Sequence, residues 1–278
     1  MIYFHVGMHK TGTTFLQLSV FPKFKGINYV PPTTPFDGFL RLDMDTKHLV
    51  SNERLAGRLW GTPEQVNYSI QRLSELYPGS KVLMSFRKHD GFILSSYKQY
   101  LHQGGALNFS DYFDIESNSG FMKCEQFIYR TRIESILRHF GEMPFVFLLD
   151  EIKDNLEDLL HDMGGFLGAI PPSIDELDRR VLNKGVGYYQ ARILRLLNEW
   201  NRSELNPTGR FQLDNRWTRL LKIDPRRLCQ YWLSFLPDKP FITKEDKQKI
   251  RDYYSDDWEY VVSCANTRTL RAGLDNIK

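Results

Sequence analysis

A three-layer α/β fold with a central parallel sheet and a helical C-terminal part is what this sequence predicts, and three observations carry that prediction. Short apolar runs of strand type alternate with stretches of helical spacing up to about residue 170, the pattern of a parallel sheet with helices on both faces. The first run opens straight into a Gly- and Thr-rich turn and a helix, MIYFHVGMHKTGTTFLQ. That layout aims backbone N–H groups and a helix N-terminus at one anion. Past Pro171-Pro172 the strand-like runs stop, and helices and loops follow.

Taken in order, Ile2–Val6 reads as a buried strand, and Phe15, Leu16 and Leu18 begin a helical spacing. Lys25–Phe39, with Pro31, Pro32, Pro35 and Gly38, is a loop with room for a short strand at Ile27–Val30. Thr46–Ser51 is a second short strand. If it runs parallel to the first, Ser51-Asn52-Glu53 lies at the sheet edge that carries the Gly/Thr turn. Thr62–Tyr77 is a helix with a Thr cap and Pro63 at its first position, stopped by Pro78-Gly79. Lys81–Phe86 is a strand, Asp90–His102 a helix broken by Gly104-Gly105, and Phe121–Phe140 a helix ending near Gly141. Phe145–Leu149 is a buried strand and Leu156–Leu167 a helix closed by Gly168. We expect one domain over 1–278, with an α/β nucleotide-binding core over 1–170 and a mainly helical part over 171–278 packed on it.

The 278 residues, 41% apolar, suffice for a sizeable core, and a net charge of +3 is no nucleic-acid signature. A slightly basic balance does suit anionic ligands. Cys124, Cys229 and Cys264 lack C-x-x-C spacing, which fits packed thiols in a reducing compartment. The first strand starts at Met1 and no run is long enough to span a membrane, so a cytoplasmic protein without a membrane partner is expected.

The turn invites comparison with the nucleotide loop G-x-x-x-x-G-K-[ST]. Gly7 and Gly12 have its separation and Thr14 falls at its Ser/Thr, but Thr13 stands in the lysine position and the only lysine, Lys10, lies inside the loop. A cation moved toward the reacting end of the anion suits a transferred group that needs a point charge and no metal clamp. An ordinary strand–helix turn with a solvated lysine is the plainer alternative.

HVGMHKTGTTFLQ resembles the 5′-phosphosulfate loop of the PAPS-dependent sulfotransferases, PAPS being 3′-phosphoadenosine 5′-phosphosulfate. The resemblance implies that His9, Lys10, Thr11, Gly12, Thr13 and Thr14 bind the cofactor. FRKHDGFILSSYKQY resembles the family's 3′-phosphate motif, an Arg after a strand followed eight residues on by Ser, which implies Arg87 and Ser95. Lys88-His89 departs from the usual Asp-Pro or Asn-Pro, and Ser96 competes with Ser95. FVFLLDEIKDNLEDLLHDMGGFLG, Phe145–Gly168, looks like the family's strand, acidic turn and helix and is assigned no chemistry. RRVLNKGVG resembles the late basic Gly loop over the same phosphate, implying Arg180, Lys184 and Gly185, although it lacks the stronger Arg-Lys-Gly form. The matching fragments fall within roughly the first 190 residues.

Sulfuryl transfer needs a proton acceptor and a charge to meet the leaving phosphate. Lys10 suits the second task. Glu53 is our choice of base from its expected place at the sheet edge, with His9 and His102 as rivals, while His5 alternates into a buried strand. The Arg216–Arg227 segment, with Arg216, Arg219, Lys222, Arg226 and Arg227, can line a site for an anionic acceptor, although such clusters are commonly solvated helix faces. The tryptophans of this last third, Trp200, Trp217, Trp232 and Trp258, and its tyrosines offer stacking surfaces for sugar rings, with core packing the default. The resulting expectation is an enzyme that moves a sulfuryl group from PAPS, without a metal, to a hydroxyl (or less readily an amine) of a carbohydrate or small-molecule acceptor, leaving PAP. The rivals are a P-loop kinase or ATPase, favoured by the FVFLLDE run at Phe145–Glu151 that imitates a metal-holding strand end, and a binding protein on a degenerate P-loop fold.

Overall fold

The computed structural model describes residues 1–8, 10–34, 42–43, 45–178, 185–221 and 223–275. In chain order the main elements are β1 (Ile2–His5), α1 (Thr13–Phe15), β2 (Asn28–Val30), β3 (His48–Ser51), α2 (Pro63–Leu76), β4 (Lys81–Phe86), α3 (His89–His102) and α4 (Phe109–Tyr112). They continue with α5 (Arg130–Phe140), β5 (Phe145–Leu148), α6 (Leu149–Asp154), α7 (Leu156–Leu167), α8 (Tyr188–Trp200), α9 (Arg216–Leu220), α10 (Pro225–Arg227), α11 (Lys244–Tyr253) and α12 (Ser255–Asp275). These elements form two compact units. One comprises Met1–Lys88, Glu125–Leu182 and Tyr254–Lys278, the other His89–Cys124 and Asn183–Tyr253.

The first unit holds the sheet. Among the described residues it has five strands in the order β2-β3-β1-β4-β5, all parallel. Every residue of β1 and β3 is buried, as covering of both sheet faces requires. On one face Leu16, Val20, Phe21 and, from α7, Leu159, Leu160 and Met163 close over Leu49, Leu83 and Phe147. Val66, Ile70 and Leu73 are the buried stripe of α2, and Ile133 and Ile136 that of α5; between these helices Ser135 Oγ donates to Asn67 Oδ1 at 2.7 Å. Helix α2 starts as predicted. Gln65 N–H donates to Thr62 Oγ1 at 3.4 Å, Thr62 N–H to Gln65 Oε1 at 3.1 Å, and Pro63 occupies the first helical position.

Several boundaries differ from expectation, and three of them have clear physical reasons. After Phe15 the helix widens into a π turn at Leu16–Val20 and tightens into a 3-10 turn at Phe21–Lys23. Pro22 has no N–H for the i−4 carbonyl, and the hydrogen-bond step changes around it. Regular helix does not start at Phe121 but at Arg130, after a 3-10 turn at Cys124–Phe127. The carboxylate of Asp257, on α12, accepts the N–H groups of Tyr129 at 2.8 Å and Arg130 at 2.9 Å, and so caps α5 from a distant part of the chain. Strand β5 ends at Leu148, whose N–H donates to Glu151 Oε2 at 2.7 Å as α6 begins. Helix α12 also sends Arg268 onto Val146 O (Nη1, 2.8 Å) and into ion pairs with Glu151 and Asp162.

The second unit is helical. Asn198 on α8 donates to the carbonyls of Leu101 and Gly105, each at 2.8 Å, and Arg251 on α11 pairs with Asp90 on α3 at 2.8 Å. Tyr97, Tyr100 and Tyr112 pack ring against ring. No helix among the described residues is long and apolar enough to cross a membrane.

Candidate active site

The parallel strands bring three loops to one sheet edge. The Gly/Thr loop follows β1, Asn52-Glu53 follows β3, and Arg87 follows β4. This is the edge at which open parallel sheets bind ligands. Register fixes the first two loops against each other: His5 pairs with Ser51, and Asn52 N–H donates to His5 O at 3.1 Å.

Gly7 has no space for a side chain. A Cβ there would lie 2.7 Å from His5 Nε2 and 2.8 Å from Thr13 Cγ2. Lys10 (φ 69°) and Gly12 (φ 85°) both take the left-handed conformation. Left-handed residues in a Gly-rich turn are a feature of the backbone nests that bind anions. Holding a non-glycine residue like Lys10 there is unfavourable by roughly 1 kcal/mol or more, a strain typical of functional loops. Thr11 is buried and its hydroxyl faces the protein, donating to Met8 O at 2.5 Å and lying 2.5 Å from Ser85 Oγ. Of Thr11, therefore, only the backbone is presented to an anion. The residues fit a phosphate: cradle, lysine and helix start coincide, with Phe15 N–H and Leu16 N–H returning to Gly12 O at 3.0 and 3.2 Å.

Thr13, in the place of a nucleotide-loop lysine, donates its hydroxyl to Glu53 Oε1. The carboxylate proposed as base is thus tied to the loop. Behind it, His5 Nδ1 lies 2.8 Å from Ser51 Oγ, which also receives Gln17 Nε2 at 3.1 Å. His5 sits between Phe21 (4.9 Å between ring centroids) and Phe147 (6.1 Å). Burial drives its pKa down to about 4, and the Glu53 charge opposes this only in part. His5 is therefore a neutral packed histidine at pH 7, as its position in the strand implied.

A cleft beside the loop is lined by Gly7, Met8, Glu53, Arg58 and Arg132. Arg132 is only 8% exposed, and burial draws its guanidinium down to about 10. Neither arginine stands out in the sequence as part of a motif. Arg132 belongs to a helix whose polar positions read as solvent-facing, and only the tertiary packing of α5 turns it inward.

Arg87 is half-buried, and its carbonyl accepts Tyr129 Oη at 2.8 Å, which fixes the strand end. In the second unit, buried Ser96 spends its hydroxyl on Tyr112 Oη at 2.5 Å, while Ser95 is half-buried on α3. Of the two serines, Ser95 is the one whose exposure suits a ligand. His102 closes the same helix. His9, Arg180, Lys184 and Lys222 lie outside the described residues; Gly185 is exposed, with open space where a Cβ would be. In the basic segment Arg219 pairs with Asp214 at 2.5 Å and Arg227 with Asp224 at 3.6 Å, so these two arginines serve local structure. Trp200, Trp217 and Trp232 are 50%, 72% and 63% exposed, against the default of core packing, while Trp258 is half-buried. The acidic turn after β5 is also engaged: Asp150 faces Lys153 at 3.4 Å, and Glu151 pairs with Arg268.

No protein-family model matches the chain, and no curated protein matches it. Among solved structures it is similar to a sulfotransferase from Alicyclobacillus acidocaldarius, with 17% identity and a TM-score of 0.45 over 66% of this chain and 85% of that one. It is also similar to mouse sulfotransferase SULT7A1 complexed with PAP, with 10% identity and a TM-score of 0.40 over 95% of this chain and 88% of that one.

Proposed function

We propose that this protein transfers a sulfuryl group from PAPS to an acceptor hydroxyl by in-line displacement. The observation that carries the reading is the pair Thr13–Glu53. The loop position that gives nucleoside triphosphatases their phosphate-binding lysine is a threonine here, and its hydroxyl is donated to a carboxylate from the neighbouring strand. With a carboxylate-bound threonine there, the loop has no cation at the position where a nucleoside triphosphate is gripped. The carboxylate suits an acceptor hydroxyl that must lose a proton. In the reaction the acceptor oxygen forms a bond to sulfur as the bond from sulfur to the bridging phosphate oxygen breaks. The hydroxyl proton passes to Glu53, and the charge left on the 5′-phosphate of PAP is met by Lys10 and the loop amides.

In this reading Arg87 takes the 3′-phosphate as a forked, permanent cation. Ser95, His9, Arg180, Lys184 and Gly185 keep the binding roles that the resemblance implies. Against the kinase alternative, Glu151 of the acidic turn is held by Arg268, while Asp150 faces Lys153 in an exposed pair.

Two measurements test the proposal: calorimetric binding of PAP, ADP and ATP, and transfer from labelled PAPS to sugars and phenols with and without EDTA. We expect PAP to bind far more tightly than ADP or ATP, and transfer to persist in EDTA. Lys10→Ala should reduce turnover more than PAP binding, since its charge matters most as the bridging oxygen departs. Tighter binding of ATP than of PAP would overturn the assignment.

A further inference from the structure

Arg132 is in an unusual situation for an arginine. It lies on α5 next to Ile133, it is 8% exposed, and among the described residues its guanidinium has no ion pair and no side-chain hydrogen bond. Buried charges in proteins are ordinarily paired, because desolvation of a lone ion is strongly unfavourable. Its guanidinium nitrogens are not among the fully enclosed polar atoms that lack a partner, so its donors stay open to solvent and to a ligand.

The surroundings narrow down what completes it. Arg132 reaches the cleft that Glu53 lines, beside Gly7 and Met8 at the mouth of the loop. Arg58 lines the same cleft, is exposed, and likewise has no ion pair among the described residues. Glu53 lines the same cleft but forms no ion pair with either arginine and accepts from Thr13, and Asp257 accepts the N–H groups of Tyr129 and Arg130. On its other side Arg132 borders a groove between α2 and α5 whose carboxylates, Glu64, Glu125 and Glu134, form no ion pair with it. Two arginines without carboxylate ion pairs therefore share the cleft with Glu53. A neutral acceptor would leave the mostly buried Arg132 charge without a counter-ion, whereas an oxyanion completes a bidentate pair.

We propose that Arg132, assisted by Arg58, anchors an oxyanion of the acceptor, so that the acceptor carries a carboxylate or a sulfate ester besides its reacting hydroxyl. The proposal rests on the sulfuryl-transfer reading for the word acceptor, but the anion site itself is testable without turnover.

The experiment measures thermal unfolding of the wild type, Arg132→Met and Arg132→Lys, each with and without saturating PAP, at matched ionic strength. The probes are D-glucuronate, D-glucose 6-sulfate and D-glucose. In the wild type we expect at least one of the two anions to raise the midpoint by roughly 2 °C or more at tenfold excess over its dissociation constant, and glucose to leave it unchanged. Which anion acts separates a carboxylate from a sulfate ester. Arg132→Met should be as stable as the wild type or more so, since a buried unpaired charge has gone, and should lose the anion effect. Arg132→Lys should keep part of it, and it carries the comparison if the Met variant does not fold. Anions that act no more strongly than glucose, an anion effect that survives in Arg132→Met, or a loss of PAP binding in that variant would each overturn the proposal. Failure of PAP itself to raise the wild-type midpoint would instead strike the nucleotide reading. The difference between wild type and Arg132→Met in the PAP-free samples would still decide the anion site.

Discussion

The Thr13 hydroxyl donates to the Glu53 carboxylate across a separation of 40 residues, joining the loop after β1 to the turn after β3. Glu53 is thereby oriented toward the loop that would hold the reacting group. Glu53→Gln should lower turnover by roughly 10²–10⁴-fold, the range for loss of a general base, and leave PAP affinity nearly unchanged. Thr13→Val should lower kcat about tenfold, the scale of one hydrogen bond to a charged group, with little change in KM for PAPS, and Thr13→Ser should restore it. Near-normal turnover in Glu53→Gln would transfer the role to His9 or His102. Steady-state kinetics with labelled PAPS makes the distinction.

Arg87 is predicted to read the 3′-phosphate. PAP should bind far more tightly than 5′-AMP, and Arg87→Ala should lose about tenfold or more in PAP affinity while AMP affinity stays level, since a charge-assisted contact is worth ~1.5–3 kcal/mol. Equal affinities for PAP and AMP, measured by calorimetry, would remove the assignment.

His5 makes stability depend on pH. Its folded pKa of about 4 lies below the ordinary 6.5, so folding favours the neutral ring. The contribution is complete above pH 6.5 and is lost as the pH falls toward 4, where the unfolded chain binds a proton that the folded one resists. The shift corresponds to something on the order of 3 kcal/mol. Urea unfolding of the wild type should show this loss between pH 6.5 and 4. His5→Gln should show a shallower slope over that interval, whatever its absolute stability. Parallel slopes would mean that other groups carry the acid sensitivity.

Asp257 caps α5 from outside its own sequence neighbourhood. Asp257→Ala should destabilise the protein by ~1–2 kcal/mol, as loss of a helix cap does, and Asp257→Asn, which keeps acceptor capacity on one oxygen, by less. Denaturant midpoints at unchanged slope provide the check, and a neutral Ala substitution would show that solvent serves α5 equally well.

Local order was legible in the chain because it rests on nearest-neighbour chemistry. The alternation of β1, β3, β4 and β5 with helices, the Thr62–Gln65 capping box and the Gly7–Gly12 spacing each follow from a few adjacent residues, and the structure has them. Even the approach of Glu53 to the first loop followed from one assumption, that β1 and β3 run parallel, and they do. Long-range pairing decided what local pattern could not. Nothing around Thr13 indicates that its hydroxyl will be given to Glu53, nothing around Ser96 that Tyr112 will take it from solvent, and nothing around Tyr129 that Asp257 sets where α5 begins. Arg132 is the clearest case. Its neighbours Arg130 and Thr131 are exposed, and its own polarity predicts the same. Burial of a side chain is a property of the face a helix turns to its partners, and that face is chosen by the whole core at once, with Ile133 and Ile136 drawing the adjoining guanidinium inward.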